Sequence, residues 1–247
     1  MSKSYRVEKV DFKLLRPFGP AILAGRLPDG IFTEFKGIID KVLKEKKRDH
    51  SKQLAGRIDD EWTIEPPYYY QTQTEEFLLS VCEHYGRTLV SRYNENGANN
   101  DKSFRTEDPN QIEMQPNITG GWVNEMKSGE YNPVHFHPYC NITSVFFFND
   151  VDDKFIKEII APESSESAGT KMEKGTSGDG YLELIYKSAG YFEQGTFRVK
   201  PRKGDFLMFP SSLLHTVYPF ISDKKRISAS FNFILHSTFS MINFGDR

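Results

Sequence analysis

The sequence predicts a mainly β chain of α+β class, a sandwich or barrel of short strands preceded by helices. Three observations predict it. Apolar residues recur at helical spacing only before about residue 110. Beyond it, short aromatic and β-branched segments follow one another at roughly even spacing, separated by turn signals. A length of 247 residues with 38% hydrophobic content, including 20 Phe and 12 Tyr, suffices for one sizeable core. The expectation is a single domain over 1–247, with 1–110 as a helical support region and 111–247 as the β core.

In chain order, Tyr5 to Ala24 alternates at Val7, Val10, Phe12 and Leu14, which offers one strand. Phe32, Phe35, Ile38, Ile39, Val42 and Leu43 form the apolar stripe of a helix over 31–47. The basic run Lys44 to Arg48 suits its C-terminus. Asp49 to Tyr70 reads mostly as loop. Phe77, Leu78, Val81, Cys82, Tyr85, Leu89 and Val90 are the buried stripe of a second helix over 74–93, with Thr72 and Glu75 as a capping box. Cys82 is thus a core residue. Gln111 to Thr119 and Trp122 to Met126 read as two strands broken by Gly120-Gly121. Strands follow at Ile142 to Phe148, Tyr181 to Tyr186, Gly195 to Val199, Phe206 to Phe209 and, longest, Arg226 to Leu235. Phe155 to Ala161 is a short apolar run, and Pro162 to Gly180 a long mobile loop between strands.

Several function classes are excluded or disfavoured. A formal charge of −2 carries no nucleic-acid footprint. Met1 to Glu8 has no apolar stretch of a signal peptide, and the apolar runs are too short to span a bilayer. Two cysteines, Cys82 and Cys140, make no disulfide framework, so a reducing cytoplasm is expected. Trp122 reads as core, and Tyr68 to Tyr70 as helix-to-sheet packing. Asp152, Asp153 and Glu163 to Glu166 read as solvated charges. Gly175 to Gly180 lacks the Gly-Lys-Ser/Thr ending of a phosphate loop.

The chemistry concentrates in Asn132-Pro-Val-His-Phe-His-Pro. His135 and His137 are two apart, hence on one face of a strand, and His215 follows much later. Non-haem Fe(II) is commonly held by two histidines and a carboxylate, often His-x-Asp or His-x-Glu with a distant histidine. Here an imidazole stands at the carboxylate position. Arg226 lies eleven residues after His215, with Ser228 two beyond it on the same strand face. A guanidinium fork and a hydroxyl suit the distal carboxylate of a dicarboxylate whose other end chelates a metal.

These residues, with Trp122-Val-Asn124, Thr143-Ser-Val-Phe-Phe, Lys203 to Pro219 and Arg226-Ile-Ser-Ala-Ser-Phe-Asn-Phe, resemble the Fe(II)/2-oxoglutarate-dependent oxygenases. Within them the chain is similar to a group frequent in marine phages and bacteria and related to prolyl hydroxylases. The resemblance covers about residues 120–235. It implies a double-stranded β-helix, or jelly roll, as the catalytic core, with Fe(II) on His135, His137 and His215. It implies that Arg226 and Ser228 hold the C5 carboxylate of 2-oxoglutarate, that Asn124, Thr143 and Asn232 wall its pocket, and that O2 is the oxidant. It implies hydroxylation of a carbon in a small-molecule or peptide substrate, a prolyl or peptidyl one preferred, in the cytoplasm, or the host cytoplasm for a phage-encoded chain. The departure is His137, since most relatives carry a carboxylate there. Two alternatives stay open: a three-histidine cupin-type dioxygenase without 2-oxoglutarate, favoured by His137 and opposed by Arg226, and a jelly-roll binding module without turnover. Oligomeric state is not legible.

Overall fold

The computed structural model describes residues 12–15, 19–51, 56–95, 112–150, 180–187 and 195–237. Its elements are β1 (Phe12–Leu15), β2 (Ile22–Arg26), α1 (Asp29–Glu45), β3 (Glu61–Thr63), α2 (Pro66–Tyr69) and α3 (Gln73–Glu95). Then come β4 (Met114–Met126), β5 (Asn132–His135), β6 (Ile142–Phe147), β7 (Leu182–Ile185), β8 (Thr196–Val199), β9 (Asp205–Pro210), β10 (Leu214–Val217) and β11 (Arg226–Ser237). The strands form a seven-stranded sheet of order β1-β2-β9-β6-β11-β4-β3 and a four-stranded sheet of order β5-β10-β7-β8. All pairings are antiparallel. Two such sheets, with helices on the larger one, make the double-stranded β-helix that the sequence implies.

Strand alternation sorts the two faces of the large sheet. Ala229, Phe231 and Phe233 of β11 join Val123, Phe146, Phe206 and Met208 in the core beneath α1 and α3. Phe35 of α1 meets the rings of Phe146, Phe148 and Phe231 at centroid distances of 5.3, 4.9 and 5.8 Å. The Tyr85 hydroxyl donates to the Ala21 carbonyl at 2.7 Å, tying α3 to the sheet. Cys82 is buried in this core, and burial pushes its thiol up to about 12. The opposite face carries Met126, Val145, Phe147, Leu207 and Phe209, which pack on Leu182, Leu184 and Val217 of the small sheet. Between the sheets, Arg226, Ser228, Ser230 and Asn232 alternate along the inner face of β11.

Some elements differ from expectation. Val7 and Val10 lie outside the described residues, and Phe12 to Arg26 yields two paired strands, β1 and β2. The 49–70 segment contains β3 and α2, too short to show a period. The Gly120-Gly121 pair does not end a strand. β4 runs through it, and a register shift beside Asn232 and Phe233 leaves Thr119 unpaired against β11. A Cβ on Gly121 would lie 2.6 Å from the Phe231 ring, so glycine here serves close packing. The capping box forms in part. Glu75 N donates to Thr72 Oγ1 at 3.2 Å, but the Glu75 carboxylate takes the N–H of Gln71. Phe155 to Ala161 and residues 162–179 lie outside the described residues. Among the described residues no helix is long and apolar enough to cross a membrane.

Candidate metal and carboxylate site

Antiparallel register builds the first half of the site. His215 on β10 stands directly opposite His135 on β5, so both imidazoles project from one face of the small sheet. His137 arrives differently from expectation. β5 ends at His135, and His137 sits on the following turn, its N–H donating to Ser211 O at 3.0 Å. The three ring centroids are 4.1 to 5.3 Å apart, and one nitrogen from each lies within 4.8 Å of the others.

Each imidazole is held through Nδ1. His135 Nδ1 is 2.7 Å from Pro133 O, His215 Nδ1 2.9 Å from Leu213 O, and His137 Nδ1 2.7 Å from Asn232 Oδ1. Carbonyl oxygens only accept, so each Nδ1 carries the proton and each Nε2 is left as a lone pair. Thr143 Oγ1 also donates to Asn232 Oδ1 at 2.9 Å and fixes that amide. Burial lowers all three pKa values, His137 to about 4, so the rings are neutral at pH 7. His137 Nε2 and His215 Nε2 are 3.2 Å apart. Two bare lone pairs at that distance repel. Two nitrogens about 2.0–2.1 Å from one ion, at right angles, stand about 3 Å apart, so the spacing fits a shared cation.

The cavity runs from the histidines along β11 to Arg226. Arg226 is 1% exposed. Its Nη1 donates to Ser228 Oγ at 3.0 Å and touches Met126 Sδ at 3.4 Å, while its plane lies over Phe147. Among the described residues, Nε and Nη2 have no partner. These two donors form the edge of the guanidinium that grips a carboxylate bidentately. A buried cation with its fork free fits an absent carboxylate. Ser228 lines the cavity beside it, Asn124 stands opposite Ser228 on β4, and Thr143 and Asn232 lie at the histidine end.

Three neighbours of the site were not legible as such. Trp122, expected in the core, lines the cavity with its ring 5.3 Å from that of His137. His50 stacks on Trp122 at 5.1 Å. Glu61 is wholly buried on β3, and among the described residues both of its carboxyl oxygens are unpartnered. Alternation along 122–126 could have pointed Trp122 inward. Nothing local marks His50 or Glu61. Cys140 lies next to the site, with Sγ 3.5 Å from His137 O.

Residues 120–232 match the family described as "Putative 2OG-Fe(II) oxygenase". No curated protein matches the chain. Among solved structures, a Pseudomonas putida prolyl-4-hydroxylase is 13% identical, covering 92% of this chain and 93% of that one with a TM-score of 0.47. A Trichoplax adhaerens prolyl hydroxylase, solved with a hypoxia inducible factor peptide fragment, is 14% identical over 90% and 83% of the two chains, TM-score 0.46. A Burkholderia pseudomallei 2OG-Fe(II) oxygenase family protein is 11% identical over 49% of this chain, which spans 45% of that one, TM-score 0.33. The matched segment, somewhat under half of the chain, carries the three histidines, Arg226 and Ser228, and it is similar to the 2OG-Fe(II) oxygenase family.

Proposed function

We propose that this chain is an Fe(II)- and 2-oxoglutarate-dependent dioxygenase that hydroxylates a substrate carbon, with 111–247 as its catalytic core and 1–110 as support within one domain. The observation that carries the reading is the free Nε/Nη2 fork of buried Arg226 at one end of a cavity whose other end holds three neutral imidazoles. His135, His137 and His215 would hold Fe(II) through Nε2. Arg226 and Ser228 would receive the C5 carboxylate of 2-oxoglutarate, with Thr143 in the pocket wall, Asn124 beside Ser228 and Asn232 behind His137. When bound, the iron and 2-oxoglutarate supply oxidative decarboxylation of the co-substrate coupled to insertion of one oxygen atom into a C–H bond.

The chain's own contribution is placement and exclusion of water. Nδ1 hydrogen bonds lock each ring with Nε2 presented inward. Val145, Phe209, Leu182 and Val217 give the cavity wall an apolar part, which strengthens the pull of Arg226 on an anion. Exposed Val134, Phe136, Tyr139 and Leu214 lie next to the histidines in sequence and suit an apolar peptide substrate, the preferred class, over a small molecule. The free cysteines suit a reducing cytoplasm. A three-histidine dioxygenase without 2-oxoglutarate is the second reading. His137 in place of an acid favours it, and it leaves the Arg226 fork without a use.

Calorimetric titration of 2-oxoglutarate into Mn(II)-loaded protein tests the reading. The parent is expected to bind. Arg226→Ala, which removes one partner of a buried charge pair, is expected to weaken binding by about 100-fold or more. No binding by the parent, or equal binding by the variant, overturns it. Asn232→Ala frees His137 Nδ1 and is expected to reduce Mn(II) affinity about 10–100-fold, measured without 2-oxoglutarate.

A further inference from the structure

Glu61 has no role in the reading above, yet it stands in register with it. β3 pairs with β4 so that Glu61 faces Asn124, and β4 pairs with β11 so that Asn124 faces Ser228. Ser228, Asn124 and Glu61 therefore stand side by side on three adjacent strands, on the face that carries Arg226. Directly opposite residues have Cβ atoms about 4.5–5.5 Å apart. Glu61 is 0% exposed, and among the described residues neither of its oxygens has a partner. Asn124 is 7% exposed, and its Oδ1 also lacks one. An ionised Glu61 would set three unpartnered acceptor atoms together. A neutral one has an O–H, with Asn124 Oδ1 as the adjacent acceptor.

The surroundings favour the neutral acid. Burial, then the like charges of Glu130 and Asp49, push Glu61 up to about 8. Among the described residues, the cations close in sequence to these strands are otherwise engaged. Lys46 and Lys127 both pair with Asp60. Lys225 pairs with Glu125 of β4. Arg226 is two strands away, about 10 Å. Arg57 and Asp59 are exposed, and the His50 ring is turned onto Trp122.

Resting on the 2-oxoglutarate reading, we propose that Glu61 is a positioning residue for the carboxylate pocket: as a neutral acid it donates to Asn124 Oδ1 and so turns the Asn124 amide N–H groups toward Ser228 and Arg226. A carboxylate only accepts, so the pocket needs that orientation of the amide. Deprotonation reverses it. A Glu61 carboxylate takes the amide N–H groups, and Asn124 then presents Oδ1 to the bound anion. Affinity is full while Glu61 is protonated and falls as the pH rises through its pKa. Arg226 keeps its charge to about 10, and the site histidines, lowered from 6.5, are already neutral. Among these groups, Glu61 is the one that titrates between pH 7 and 9.5.

Calorimetric titration of 2-oxoglutarate into Mn(II)-loaded protein at pH 6.5–9.5 tests this, with circular dichroism to verify folding. In the parent, affinity is expected to fall about tenfold from pH 7 to 9.5, the size of one hydrogen bond to a charged group. Glu61→Gln donates to Asn124 Oδ1 at every pH and is expected to keep the pH 7 affinity with a flat profile. Glu61→Leu is expected to be about tenfold weaker and flat. A flat parent profile, or a Glu61→Gln protein as weak as Glu61→Leu at pH 7, overturns the proposal. If Glu61→Leu does not fold, the parent and Glu61→Gln profiles decide it. A parent that binds no 2-oxoglutarate at any pH overturns the functional reading itself. Binding that Arg226→Ala abolishes but pH leaves unchanged overturns this inference alone.

Discussion

Arg226→Met is expected to melt higher than the parent in the absence of ligand and to lose its response to 2-oxoglutarate. Burial pulls the guanidinium from 12.5 to about 10, a cost to the charged form of about 3 kcal/mol, present at every pH below about 10. Among the described residues no anion offsets it, since Nε and Nη2 are unpartnered there. Methionine removes the charge and retains apolar contact with Phe147 and Met126. The Nη1 bond to Ser228 is lost, at about 1 kcal/mol. The net gain is about 2 kcal/mol, or about 4–8 °C for a chain of this size. With Mn(II) and 2-oxoglutarate at about 100 times its Kd, the parent is expected to gain about 2.7 kcal/mol and the variant nothing. Thermal melts with and without ligand check both halves. A variant less stable than the apo parent would show that the unpaired fork carries no strain.

His215→Ala is expected to weaken Mn(II) or Co(II) binding by more than about 100-fold, beyond the range that loss of an outer-shell partner such as Asn232 produces. His137→Ala should do the same by the proposed ligand set. Retention of metal by that variant would leave His135 and His215 as the pair that binds. The same rings set an acid limit. All are pulled below 6.5 in the fold, His137 to about 4. As the pH falls below 6.5 the unfolded chain takes up protons that the folded apo chain refuses, so stability is full above pH 6.5 and declines toward pH 4. Bound metal needs the neutral rings and should move this decline to lower pH. Urea melts across pH 4–7.5, with and without Mn(II), measure the shift.

The same chain was legible to very different degrees. α1 and α3 were visible because a buried helix face repeats every 3.6 residues over many turns. β6 and β11 were visible because a strand between two packed layers must be apolar or alternate. In β11 the alternation even separated Ile227, Ala229, Phe231 and Phe233 from Arg226, Ser228, Ser230 and Asn232. β3, with its three residues, is too short for any period, and the turn α2 is little longer. The β4 bulge was hidden because a glycine pair marks a break and a close approach equally well.

The sequence by itself determined the fold class and the residue types that gather: two histidines close together, a third far on, and an arginine and serine sharing one strand face. Only the tertiary structure decided how they meet. Register set His215 opposite His135, the end of β5 put His137 on a turn with Asn232 as its partner, and β3 brought Glu61 beside Asn124. Periodicity records which face a residue turns to the core. Register across strands and the burial of a charge depend on partners distant in the chain, and no local pattern encodes them.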